Sequence, residues 1–210
     1  MQPTIDALAE SAMRKFNINH AVVYNTVQLY RTDRLDYLQT LTAAGEAEGF
    51  HVGVKLVRGA YMEKERERAL ERGYASPIQP HKAATDHNYN NALEWCLSHL
   101  DLVSLCAGSH NEESNSLLCR KMSELGIQRD DERIWFAQLL GMSDPISFNL
   151  ARSNYRVAKY VPYGPINETI PYLIRRAEEN TSVAGQTSRE LELIRREEAR
   201  RTSEKVQKEK

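Results

Sequence analysis

The chain has 210 residues, with 28 Lys and Arg against 29 Asp and Glu and a net charge of −1. That balance gives no bulk attraction for nucleic acid or an anionic membrane surface. Cys96, Cys106 and Cys119 form no CxxC pair and have no histidine at zinc-ligand spacing, no apolar run reaches the ~18 residues of a membrane span, and the opening MQPTIDALAES has neither a secretory core nor an Arg-rich transit pattern, so a soluble protein of a reducing compartment, without a metal site, is expected.

Residues 4–16 carry Ile5, Leu8, Ala9, Ala12, Met13 and Phe16 at helical spacing. A short β-rich run follows at 21–26, then a helix at 33–48 with Leu35, Leu38, Leu41 and Thr42 on one side. FHVGVKLV (50–57) reads as a second strand and ends at Arg58-Gly59. Residues 63–72 alternate Glu with Lys or Arg, the pattern of a solvated helix face rather than of a nucleic-acid patch. A helix at 86–100 leads to a strand at 102–107, a helix at 112–125 to a strand at 134–140, and a strand at 157–161 to a helix at 167–179. Several strands are near-continuous apolar runs, as expected of strands buried on both faces.

Helices alternating with such strands predict parallel α/β topology. Neither GxGxxG nor GxxxxGK[ST] occurs, so the phosphate fingerprints of nucleotide-binding open sheets are missing. The expected fold is therefore a (βα)8 TIM-type barrel. It is incomplete, with about five parallel strands and flanking helices, and the simplest reading is a portion lacking the first three strands. Residues 1–188 form this portion. Residues 189–210 are a mostly charged helical tail, read as a solvated helix, with a membrane or partner anchor as the alternative.

In a parallel barrel the site lies at the carboxyl ends of the strands. Those ends are expected at Asn25-Thr26, Lys55–Tyr61, Ser109-His110-Asn111, Gln138–Met142 and Tyr160–Gly164. Lys55 sits inside an apolar strand, either reaching solvent at the strand end or paired with an anionic ligand. Ser109 or Asn111 can cap the following helix, or the triplet can hydrogen-bond a cofactor. No GxSxG elbow supports a serine hydrolase. On a helix, Tyr172 shares a face with Arg175 and Arg176, and Glu179 follows one turn later. The pair of arginines can grip one carboxylate bidentately, or form surface salt bridges with Glu179.

Five segments carry a resemblance. VKLVRGAYMEKERERA (54–69), Gly108-Ser109-His110-Asn111, FAQLLGMSD (136–144), AKYVPYGP (158–165) and PYLIRRAEENTS (171–182) occur in the order and spacing of proline dehydrogenases. The chain resembles that family from residue 2 to about 190, in its bacterial and mitochondrial single-function form. The resemblance implies a (βα)8 barrel holding FAD that oxidises L-proline to Δ1-pyrroline-5-carboxylate and passes electrons to quinone. It implies that Arg175 and Arg176 bind the proline carboxylate and that Tyr61, Leu139, Tyr160 and Tyr172 line the substrate pocket. Lys55 matches a basic residue beside the flavin, and Asn25 a flavin-contacting amide. Arg58, Lys82, Thr85, Ser109, His110, Asn111 and Glu179 fall in segments that contact or frame FAD. A lysine and an aspartate that complete the family's proline pocket belong to earlier strands and have no counterpart here. The alternative is an inactive fragment that no longer binds FAD. The location implied is cytoplasmic, peripheral to the inner membrane, or mitochondrial in a eukaryote.

Overall fold

A computed structural model describes residues 2–182, 191, 192 and 194–201, with the side chains of 177–182 outside the description. The chain divides into two compact units, residues 1–161 and 162–210. The first unit runs α1 (Gln2–Phe16), β1 (Tyr24–Gln28), α2 (Arg34–Glu48), β2 (Val52–Val57), α3 (Met62–Arg72), α4 (Lys82–Ser98), β3 (Val103–Gly108), α5 (Glu112–Glu124), β4 (Ile134–Leu139), α6 (Asp144–Arg152) and β5 (Val157–Tyr160). The second holds α7 (Ile166–Ser182) and a helical stretch at 191–201, residue 193 excepted.

The five strands pair in sequence order, β1-β2-β3-β4-β5, and every pair is parallel. Strand order never reverses, so no topological switch point of the doubly wound kind exists among the described residues. Winding in a single direction puts all crossovers on one face, as in a (βα)-barrel. The packing agrees. Val52, Val54 and Leu56 of β2, Val103, Leu105 and Ala107 of β3, and Ile134 and Phe136 of β4 join Met13, Leu38, Leu41, Tyr89, Leu93, Cys96, Leu118 and Met122 from the helices in one core. Each fully buried aliphatic side chain there contributes roughly 2–3 kcal/mol of transfer free energy.

Three details depart from the sequence reading. The crossover from β2 to β3 contains the two expected helices, α3 and α4, but α4 starts at Lys82 rather than 86 because the His81 ring caps it, Nδ1 accepting from the Ala84 N–H at 3.1 Å. The first strand begins at Tyr24, not at residue 21. Asn17 explains this: its Oδ1 accepts from the N–H groups of Val22 and Val23, and its amide donates to the carbonyls of Val23 and His51. The apolar run Ala21-Val22-Val23 therefore finds its backbone partners in a side chain before the ladder starts. In α1 the buried residues are Asp6 and Met13, while Ile5, Leu8 and Phe16 are exposed. Asp6 turns inward because Arg34 of α2 reaches it at 2.7 Å, both side chains being 7% exposed.

Candidate active site at the carboxyl ends of the strands

Side chains alternate across a strand, so each contributes one set of residues to the helix face and the other set to the opposite face. Register assembles the second set into rungs. Tyr24, Gly53 and Ser104 form one, and Thr26, Lys55, Cys106 and Trp135 the next. Gly108, Ala137 and Ala158 form a third, and Leu139 pairs with Tyr160. Across β3, β4 and β5 the third rung is made of small residues, which opens space there, while Val57 and Gln28 pair at its β2 and β1 end. Lys55 uses that space: a Cβ on Gly108 would stand 3.2 Å from the Lys55 Cε. The ammonium lies 5.3 Å from the centre of the Tyr160 ring. Lys55 is half-buried, and no carboxylate among the described residues forms an ion pair with it. Beside it, burial pushes the Cys106 thiol up, against the pull of the Lys55 charge, so the thiol stays neutral.

The turn after β2 carries Arg58-Gly59-Ala60-Tyr61. Gly59 has φ +117°, and a Cβ there would sit 1.6 Å from the Tyr30 ring. Glycine is therefore required for Tyr30 to pack beneath the turn. The Tyr30 hydroxyl and the Arg31 guanidinium both donate to Glu65, one turn into α3. Tyr61 stands at the N-terminal boundary of that helix, without a side-chain cap bond, and is 43% exposed.

Arg58 is engaged on every side. Its Nε donates to Asp86 at 2.6 Å, Nη1 to Ser109 Oγ at 2.8 Å and Nη2 to Ser114 Oγ at 2.9 Å. Its plane lies over Tyr89 at 4.5 Å. Asp86 also accepts from Lys82 at 2.6 Å. Burial pushes the Asp86 carboxyl up, but the bonds from Lys82 and Arg58 outweigh it and hold it below the usual carboxylate range. Thr85 is buried in the same first turn of α4.

The turn after β3 is pinned from several directions. The Ser109 carbonyl accepts from Asn115 and Gln138, each at 3.2 Å, and Ser109 Oγ accepts from the Asn111 N–H. Asn111 caps α5, accepting from the Ser114 N–H at 2.8 Å. His110 Nδ1 is 3.0 Å from Ser143 Oγ, on the turn after β4. Burial, with the Lys159 charge, pulls His110 down to about 4, so its ring is neutral near pH 7.

Asn25 is corrected. It is the second residue of β1, not its carboxyl end, and it faces the helices. Its Nδ2 donates to Asp6 Oδ1 at 2.9 Å and to the Tyr37 hydroxyl at 2.8 Å. β1 runs on to Gln28, two residues past the expected end. Gln28, the last residue of β1, stands on the same side as Thr26. Asp86, Ser114 and Gln138 were missed by sequence reasoning, because their role is to hold the turns.

In the second unit, the Arg176 guanidinium lies 5.3 Å from the Tyr172 ring, so the face shared by residues i and i+4 forms as expected. Arg175 and Arg176 are half-buried. The Glu179 side chain lies outside the described residues. Most of the 189–210 tail is likewise outside them. No helix among the described residues is long and apolar enough to cross a membrane, and no group of three His, Cys, Asp or Glu among them could hold a metal.

Parallel strands wound in one direction, with cationic and aromatic side chains at their carboxyl ends, define a protein of the (βα)-barrel class. The proline dehydrogenase family profile matches residues 1–189, and the chain belongs to that family. It is 44% identical over 203 residues to the mitochondrial proline dehydrogenase 1 of Homo sapiens, covering 93% of this chain and 34% of that protein. It is 39% identical over 208 residues to the hydroxyproline dehydrogenase of Xenopus laevis, covering 96% of this chain and 44% of that protein. The chain thus spans about a third to under half of these relatives. Among solved structures it resembles proline utilization A from Bdellovibrio bacteriovorus inactivated by N-propargylglycine, with a TM-score of 0.80 and 28% identity over 87% of this chain and 19% of that one.

Proposed function

We propose that this chain supplies the flavin- and substrate-facing sector of a proline dehydrogenase, which oxidises L-proline to Δ1-pyrroline-5-carboxylate in proline catabolism. The observation that carries the reading is Lys55. A half-buried ammonium with no carboxylate partner among the described residues, beside an aromatic ring and a rung of small side chains, is a site for a flat group with anionic character. FAD fits that chemistry and, when bound, supplies the two-electron acceptor. Lys55, Arg58, Lys82, Thr85, Ser109, His110, Asn111 and Glu179 would hold or frame it, and Gln28 replaces Asn25 as the amide at the end of β1.

The chain's own groups position the substrate. Arg175 and Arg176 grip the proline carboxylate through paired N–H bonds, which fixes the ring carbon that is oxidised. Tyr61, Leu139, Tyr160 and Tyr172 pack the ring and exclude water. The reaction removes two electrons and two protons, leaving the C=N bond of pyrroline-5-carboxylate. Quinone is the proposed final acceptor, reached by peripheral contact with the membrane. The mitochondrial names of the human, Drosophila melanogaster and Arabidopsis thaliana relatives support a mitochondrial location in a eukaryote.

The test is titration of FAD into the purified chain, read by flavin fluorescence, followed by proline-dependent loss of oxidised-flavin absorbance. Bound flavin that proline reduces is the expected result. Arg175→Ala and Arg176→Ala should each weaken proline binding by about 2–5 kcal/mol if the contacts are desolvated. A chain that binds no FAD would instead support the inactive fragment.

A further inference from the structure

We propose that Asp86 is a positioning residue of the flavin site, acting through Arg58 to hold the Ser109-His110-Asn111 turn in place. The inference rests on the flavin reading above and concerns a residue whose carboxylate is bonded to Arg58 and Lys82.

Arg58 leaves the carboxyl end of β2 and meets three elements at once: Asp86 on α4, Ser109 at the end of β3, and Ser114 in the first turn of α5. Its face is closed by Tyr89 of α4. A planar fork with fixed N–H directions can hold three partners only if its own rotation is stopped. Asp86 stops it, because the Nε bond sets the guanidinium plane and aims Nη1 and Nη2 at the two hydroxyls. The rest of the network depends on that aim. Ser109 Oγ, receiving from Arg58, also receives the Asn111 N–H, and Ser114 passes its own proton to Asn90 Oδ1 at 2.8 Å. The turn bearing His110 is thereby fixed between β2 and α5.

A second feature separates Asp86 from an ordinary salt-bridge partner. The same carboxylate receives Lys82, so it stands between two cations that the flavin reading places at the cofactor. Removing it releases both. Elsewhere α4 and α5 are joined by Lys121 and Glu94 at 3.4 Å, on the outer surface and away from the turn. That pair joins the same two helices without touching the site and serves as an internal control.

The experiment compares Asp86→Ala, Asp86→Asn, Arg58→Lys and Lys121→Ala in the full chain. Amide hydrogen exchange is followed at Asn111 and Ser114, and FAD affinity is measured by fluorescence titration. Asp86→Ala and Arg58→Lys should each speed exchange at those two amides about tenfold or more and raise the FAD Kd by about tenfold or more. Asp86→Asn keeps the size and fold and should shift both readouts in the same direction, while Lys121→Ala should shift neither. Unchanged exchange in the Asp86 variants overturns the inference. So does faster exchange with an unchanged Kd, which would separate the turn from the flavin. A wild-type chain that binds no FAD overturns the flavin reading itself, and the positioning role with it. An equal effect of Lys121→Ala would show that Asp86 only joins two helices.

Discussion

The two faces of the five-stranded sheet are built by opposite rules. On the helix face, Val52, Val54, Leu56, Val103 and Leu105 are wholly buried, and each is replaceable only by something of its own size and polarity. On the opposite face stand Tyr24, Thr26, Lys55, Cys106, Trp135 and Tyr160, mixed in polarity and partly exposed. Stability belongs to one face and chemistry to the other, and residues adjacent in sequence belong to different tasks. The contrast also explains why the turns matter. The turn after β3 is held by hydrogen bonds: Arg58 and the Asn111 N–H both donate to Ser109 Oγ, and His110 meets Ser143 on the turn after β4.

The sharpest break of that contrast uses neighbours on β3. Leu105→Ala should lose about 3–4 kcal/mol in urea unfolding, since the side chain is fully buried and the core collapses only partly around the cavity. Cys106→Ala, one residue away, should lose less than about 1 kcal/mol, since it removes a single half-buried sulfur. Equal losses would mean that the two faces are packed alike. Gly59→Ala comes next, at about 2–3 kcal/mol, because the new methyl meets the Tyr30 ring and the backbone there has φ +117°. A Tyr30→Ala change in the same chain should recover part of that loss by removing the ring it strikes; no recovery would locate the strain in the backbone alone.

Much of this arrangement was legible from the residues. The parallel α/β topology followed from continuous apolar runs between amphipathic segments, and β2 through β5 came within two residues of their observed ends. The first strand was placed too early because apolar content signals burial, not pairing. Ala21-Val22-Val23 looks like a strand, and only the Asn17 side chain just before it shows that the Val22 and Val23 N–H groups are already bonded. Asn25 gave no such signal: only its bonds to Asp6 and Tyr37 show that it faces the helices. The inward Asp6 was hidden similarly, since its partners Arg34 and Asn25 lie on other elements. Lys55 stood out as a charge in an apolar run. Asp86 did not, because a carboxylate four residues after a lysine reads as an ordinary helix pair.

A milder effect is expected from pH. His110 is held near pKa 4 in the folded chain by burial, with Lys159 adding to it, against an ordinary value of 6.5. The folded pKa is lowered, so the unfolded chain binds the proton more readily between those values. The neutral ring's contribution is therefore complete above about pH 6.5 and is lost as pH falls towards 4. Allowing for solvent screening of a partly exposed ring, the loss is at most about 2 kcal/mol. His110→Gln keeps a hydrogen-bonding side chain for Ser143 without the titration. Urea midpoints measured from pH 7 to 4 should fall less steeply in that variant than in the wild type, and parallel curves would assign the pH sensitivity to another group.

Lys55→Met has the smallest expected effect on stability and the most to say about the two faces. The ammonium forms no ion pair among the described residues, so its removal leaves no buried counter-charge behind. Methionine keeps the length that crosses Gly108 and can contact the Tyr160 ring through sulfur in place of the cation. Unfolding free energy should stay within about 0.5 kcal/mol of the wild type. FAD binding should nonetheless weaken about tenfold, because an attraction of one cation for an anionic group in a partly desolvated site is worth about 1.4 kcal/mol. The same charge loss should make the affinity less sensitive to added salt. A variant that loses stability but keeps its flavin affinity would make Lys55 part of the packing, and the division of labour between the faces would then fail at the residue that most clearly suggested it.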